Sequence, residues 1–215
     1  MLALVDGLSG RALDWVALGD SYTIGTSVFE AERWPNQLVD RLAAGSGPGL
    51  RLKANLAVNG HTSADVIAGQ LPRLGSLRPS FVSLLVGVND VVRGVTQDRY
   101  EGNVIVILDR LLDTLASNRI VTVATPDYTV TPQGPRYGDP GQQSAGIREN
   151  NAILGRLARD RSIAFVDIHD ISLAAADDRS LVASDGLHPS GRQYTLWVDR
   201  IAPAVETLLG RVNRR

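Results

Sequence analysis

Cysteine is absent from the 215 residues, which excludes a disulfide framework, thiolate zinc sites and a cysteine nucleophile. Lysine is almost absent: Lys53 stands alone beside 21 arginines. The 22 basic residues meet 23 acidic ones for a formal net charge of -1, and only the "RVNRR" end is locally basic. That balance offers no stripe for a polyanion, so no nucleic-acid partner is expected. No apolar run approaches the ~18 residues that a membrane span needs. The opening "MLALVDGLSGRALDW" has a five-residue apolar run and no basic stretch before it, too little for a secretory signal, so the expected location is the cytoplasm. Neither GxGxxG nor GxxxxGK occurs, which argues against a nucleotide or phosphate binder. At 5% aromatic residues, the chain offers no obvious platform for stacking sugars.

What is present is an ordinary globular composition, 44% hydrophobic and 21% charged. The length suffices for one sizeable core without a staple, and one domain over 1–215 is expected, its core at about 14–205. Five short, nearly continuous apolar runs read as strands covered on both faces: 14–19, 52–58, 81–87, 120–125 and 163–168. Helix-compatible stretches separate and follow them, at 34–45, 62–74, 98–117, 145–160 and 191–212, the last with a kink expected at Pro203. Alternation of this kind predicts an α/β fold with a parallel sheet and right-handed crossovers. Residues 126–145 do not fit the alternation: four prolines, three glycines and two tyrosines (Tyr128 and Tyr137) predict a long loop. Placed directly after a strand, it is expected to wall a site at the carboxyl edge of the sheet.

Four polar segments converge on that same edge: "GDSYT" after the first strand, "NLAVNGHTS" around the second, "VGVND" at the end of the third, and "SDGLHPSG" before the last helix. Each has a bland use, as a cap or a turn. Together they assemble the parts of acyl transfer. A serine hydroxyl needs a base, histidine titrates near neutrality, and a carboxylate on the other ring nitrogen fixes its tautomer. Ser21 and the Asp185-x-x-His188 turn supply these three groups. Negative charge on a tetrahedral intermediate needs donors, which the Ser21 N–H, the Gly60 N–H and the Asn89 amide can provide. Asp20 and Asp90 are expected to support the loops beside Ser21 and Asn89. His61 has no carboxylate at comparable spacing and is placed beside the substrate, with Tyr128 and Tyr137. His169, flanked by Asp167 and Asp170, reads as a surface or helix-start residue. No ligand spacing joins these histidines and aspartates into a metal site.

In this order the blocks resemble the SGNH superfamily of serine hydrolases, also called GDSL esterases and lipases. Ser21 matches the nucleophile in "GDSYT", with Tyr22 where leucine often stands. Gly60 matches the oxyanion glycine, with Asn59 where a small serine is common. Asn89 matches the third block, and Asp185 and His188 the last. The resemblance implies a three-layer α/β/α, flavodoxin-like fold with a five-stranded parallel sheet in the order 2-1-3-4-5. It also implies cofactor-free hydrolysis of a small carboxylic ester through an acyl-enzyme, and a short acyl chain is expected. Carbohydrate O-deacetylation and lysophospholipase or thioesterase activity are alternatives within the same chemistry. A catalytically inactive binding module of the same fold is the alternative outside it.

Overall fold

The computed structural model describes residues 12–210. The N-terminal stretch read for a signal lies largely outside them, as do the basic end 211–215 and the last two residues of the final expected helix. Five strands form one parallel sheet: β1 (Leu13–Gly19), β2 (Leu50–Asn55), β3 (Phe81–Leu85), β4 (Ile120–Val123) and β5 (Ala164–Val166). Their order is β2-β1-β3-β4-β5, as the family resemblance implied. Four long helices cover the sheet: α1 (Trp34–Ala43), α2 (Gln97–Leu112), α3 (Pro140–Asp160) and α4 (Gly191–Leu208). A broken helical run occupies 63–77, with a π-helical turn at Val66–Gln70.

The continuous hydrophobicity of the strands follows from two cores, one on each face. Successive side chains of a strand point to opposite faces. Trp15 and Ala17 therefore enter one cluster, with Trp34 and Leu38 of α1 and Tyr194 and Trp197 of α4. Val16 and Leu18 enter the other, with Tyr100, Val104, Ile107, Leu108 and Leu111 of α2 and Leu154 of α3. The three tryptophans are fully buried, and Trp15 and Trp34 meet at 5.5 Å between ring centroids. Buried Trp15 still satisfies its indole N–H, which donates to Ser83 Oγ on β3 at 3.1 Å. Truncating such a ring to alanine costs about 3–5 kcal/mol.

One expected boundary shifts. Helix α3 begins at Pro140, inside the expected 126–145 loop, because Asp139 caps it by accepting from Gln142 N–H and proline suits a first helical turn. Pro203, at which the sequence predicts a kink, lies inside α4. Among the described residues no helix is long and apolar enough to cross a membrane.

The strand order sets where a ligand can sit. The chain leaves β1 toward β2 on one side and reaches β3 on the other, so a crevice opens beyond the carboxyl ends of β1 and β3. Gly19 ends β1 in register with Leu85 at the end of β3. Asp20–Ser21, directly after β1, and Val88–Asn89, just beyond β3, therefore flank the crevice.

Candidate active site

Ser21 opens a one-turn helix, Ser21–Ile24, directly after β1. Asp20 caps it, its Oδ1 accepting the Tyr22 N–H at 3.0 Å, and Gly25 closes it in the left-handed region at φ +74°. Gly19 makes the approach possible. At φ +151° it lies so close to β3 that a Cβ would stand 2.3 Å from the Leu85 carbonyl oxygen. Gln70, from the π-helical turn, brackets Gly19 from below. Its Oε1 accepts the Gly19 N–H at 2.9 Å, and its Nε2 donates to the Gly19 carbonyl at 2.7 Å. Ser21 is thus presented on a strand end held on both sides.

His188 comes from the loop before α4. Its Nδ1 lies 2.6 Å from Asp185 Oδ2. With a carboxylate as acceptor, Nδ1 carries the proton and Nε2 keeps its lone pair. The turn itself orients the acid, because Asp185 Oδ1 accepts the N–H groups of Leu187 at 2.9 Å and His188 at 3.0 Å. The second oxygen also takes the hydroxyl of Ser27 at 2.7 Å. Burial would raise Asp185, but the bonds from Ser27, His188 and the backbone outweigh it and hold the carboxyl at about 2. The His188 ring packs 5.6 Å from that of Tyr22.

A cavity of about 230 Å³ is lined by Ser21, His188, Gly60 and Asn89, with Tyr22, Asn59, Val88, Val92, Leu187, Tyr128 and Tyr137 around them. Gly60 takes φ +78°, and its carbonyl accepts from Arg93 at 2.7 Å. Asn89 Nδ2 donates to the His61 carbonyl at 3.0 Å and lies 3.4 Å from Asp20 Oδ2. The His61 ring is not part of the cavity lining. Its Nδ1 accepts from Gln70 Nε2 at 3.0 Å, so the residue meets the site through its carbonyl.

The two supporting carboxyls are both buried. Asp20 is raised to about 7, by burial first, then by nearby Asp90, against the lowering effect of the Tyr22 N–H. Asp90 is also raised by burial, partly offset by Ser63, whose hydroxyl and N–H reach its two oxygens at 2.5 and 2.9 Å. That pair ties the Gly60 loop to the Asn89 turn.

The proline-rich wall is ordered by a residue that pattern reading passed over. Asp127, only 2% exposed, accepts the N–H and hydroxyl of Thr129 and the hydroxyl of Ser144, with His169 Nε2 at 3.6 Å. His169 starts a short helix, as its sequence context suggested. Burial works against ionisation of Asp127, but these bonds prevail and hold it at about 2. Tyr128 is anchored by its hydroxyl, which donates to Gln143 at 2.7 Å, and Tyr137 stands edge-on to it at 5.6 Å. Gln133 N–H donates to the Gly186 carbonyl at 3.0 Å, which docks the wall on the Asp185–His188 loop. Ser27 and Gln70 had no local signal, since Asp185 lies 158 residues from Ser27 and Gly19 lies 51 residues from Gln70. Among the described residues no group of three or more His, Asp or Glu side chains is placed to hold a metal ion.

The chain is similar in fold to three solved structures. TesA is 20% identical, with a TM-score of 0.68 over 91% of this chain and 99% of that one. The psychrotrophic esterase EstA from Pseudoalteromonas sp. is 19% identical, with a TM-score of 0.68 over 92% and 98%. A catalytic mutant of Axe2, an acetylxylan esterase from Geobacillus stearothermophilus, is 18% identical, with a TM-score of 0.70 over 96% and 99%. Among curated proteins no sequence match was found. The profile of the GDSL-like Lipase/Acylhydrolase family matches residues 17–196, from within β1 to within α4 and across all four polar segments, and the chain therefore belongs to that family of carboxylic ester hydrolases.

Proposed function

We propose that this chain hydrolyses a small carboxylic ester through an acyl-enzyme on Ser21. The observation that carries the reading is the shared cavity: Ser21, His188, Gly60 and Asn89 all line it, while Asp185 holds the far nitrogen of His188. His188 Nε2 takes the Ser21 proton as Oγ bonds to the ester carbonyl carbon. The oxygen charge that forms is met by the N–H groups of Ser21 and Gly60 and by the Asn89 amide. His188 then protonates the departing alcohol as its C–O bond breaks. Water attacks the acyl-enzyme with His188 as base, and the carboxylic acid leaves with Ser21 restored. Asp185 stabilises the imidazolium in both steps.

A cavity of about 230 Å³ with Val88, Val92 and Leu187 on its walls supports a short acyl chain. It falls below the ~300–1,000 Å³ usual for drug-sized ligands. The test is turnover of p-nitrophenyl acetate, butyrate and octanoate by wild type and Ser21→Ala. Wild type is expected to favour the two shorter esters, and Ser21→Ala to lose at least about 10³-fold in kcat. Wild-type turnover by Ser21→Ala would sink the assignment.

One observation favours carbohydrate O-deacetylation as a second reading. Tyr137, 44% exposed on the cavity wall, offers a ring to a sugar, and the similar Axe2 is an acetylxylan esterase. Faster release of acetate from acetylated xylo-oligosaccharides than from simple alkyl acetates would select this reading.

A further inference from the structure

Ser27 reaches Asp185 across 158 positions of sequence, and it does so from a backbone conformation that serine rarely holds. We propose that Ser27 is a positioning residue that fixes the Asp185 carboxylate for His188. The proposal rests on the roles given above to Ser21, Asp185 and His188.

The two oxygens of Asp185 are held differently. Oδ1 is fixed by its own turn, through the N–H groups of Leu187 and His188. Oδ2 is the oxygen that meets the imidazole, and the Ser27 hydroxyl is its second donor, at 2.7 Å beside His188 Nδ1 at 2.6 Å. A hydrogen bond to a charged acceptor is stronger and more directional than one between neutral groups. Ser27 therefore restricts rotation of the carboxylate about its Cβ–Cγ bond, which the backbone bonds to Oδ1 alone leave softer. The direction of the Asp185 ionisation agrees, since Ser27 leads the interactions that oppose the effect of burial.

The backbone gives an independent observation. Ser27 sits at φ +67°, in the left-handed region that glycine occupies freely and other residues occupy at a cost. Strain of this kind persists where neighbouring contacts over-determine it, and it gathers at functional sites. Those contacts are present. The Thr26 N–H donates to the Ser21 carbonyl at 3.1 Å, and the Thr26 hydroxyl donates to Asn59 Oδ1 at 2.5 Å. Downstream, the Phe29 N–H donates to Glu32 at 2.9 Å. The segment that carries Ser27 thus starts on the nucleophile's own helix and ends on the acid. It couples two parts of the site that lie at opposite ends of the chain.

The experiment compares Ser27→Gly, Ser27→Ala and Ser27→Thr with wild type and with Ser21→Ala on p-nitrophenyl acetate. Ser27→Gly removes the hydroxyl and relieves the backbone, so its melting temperature is expected to match or exceed wild type while kcat falls about tenfold at unchanged KM. A merely structural role would be improved by glycine, not impaired. Ser27→Thr restores a hydroxyl and is expected to recover most of kcat, even as its branched Cβ lowers the melting temperature. The low-field proton resonance of the His188–Asp185 bond provides a readout independent of turnover, and it is expected to shift in Ser27→Gly. Wild-type kcat and an unmoved resonance in Ser27→Gly, with Ser21→Ala inactive, would overturn the role of Ser27 and leave the hydrolase reading standing. An active Ser21→Ala would overturn that reading itself.

Discussion

His188 Nδ1 and Asp185 Oδ2 stand 2.6 Å apart within a single turn whose own N–H groups hold the other carboxylate oxygen. The local turn therefore holds one oxygen of the acid, and the Ser27 hydroxyl meets the other beside His188. Asp185→Asn keeps the size of the side chain, but with its oxygen retained by the Leu187 and His188 N–H groups it turns its NH2 toward Nδ1, which favours the wrong tautomer. The expected result is a loss of about 10³–10⁴-fold in kcat with a near wild-type melting temperature. Steady-state kinetics beside thermal denaturation decide it, and a loss below tenfold would remove Asp185 from the proton path.

The proposed oxyanion donors differ in how they respond to substitution. Asn89→Ala deletes a side-chain donor that lines the cavity, and about a 100-fold fall in kcat is expected with little change in KM. Gly60→Ala keeps its N–H, and the added Cβ meets only Arg93, at 3.5 Å. Its cost is the strain at φ +78°, about 1 kcal/mol, so this variant is expected to fold and to lose about tenfold as the N–H shifts. Equal losses in both variants would argue that the Gly60 N–H carries as much of the oxyanion as the Asn89 amide.

Gly19 is a different case, because the obstacle is backbone. An alanine Cβ there would lie 2.3 Å from the Leu85 carbonyl oxygen and 2.7 Å from Thr23 Oγ1. Either β1 separates from β3 or the Ser21 helix moves. Gly19→Ala is expected to cost more than about 3 kcal/mol, seen as a drop of roughly 6–12 °C in melting temperature or as insoluble protein. A soluble variant with wild-type melting temperature would show that the strand end yields.

The buried carboxyls predict the pH dependence of stability, with opposite signs. Asp20 is raised from 3.8 to about 7, so the folded state favours its protonated form. Stability from this group is fully present below pH ~4 and is lost as pH rises through about 7, on the order of 4 kcal/mol against ionisation. Asp127 and Asp185 are depressed to about 2, so their contribution is present above pH ~4 and lost as pH falls through about 2. Asparagine can still cap the Ser21 helix, so Asp20→Asn should fold. Chemical denaturation of this variant from pH 3 to 8 is expected to show a shallower decline between 4 and 7, with the part owed to raised Asp90 remaining, and to keep the acid limb. A wild-type slope would exclude Asp20 as its source.

Much of the architecture was legible because its signals are local or periodic. Continuous apolar strands imply two covered faces, and Trp15 and Val16 do divide between opposite cores. The ordered blocks carried the strand order through family resemblance. Strand ends were read too long: 52–58 ends as a strand at Asn55, although Leu56 and Val58 still donate to Ala17 and Gly19 of β1. Hydrophobicity continues past the point where the backbone turns to present polar groups, so composition alone does not mark the end. The 126–145 loop was read too long at its far end, since Pro140 opens a helix once Asp139 is seen to cap it.

By itself, then, the amino-acid order determined the elements, the family and the short-range pair Asp185–His188, because each depends on residues within a turn or on a repeating pattern. Tertiary structure alone decided what holds these parts in place. Gln70 clasps Gly19 from 51 residues away, Ser63 meets Asp90 across 27, and Ser27 reaches Asp185 across 158. Hydrogen bonds of a few ångströms between distant residues follow from how whole layers pack, and no periodicity in the chain encodes them.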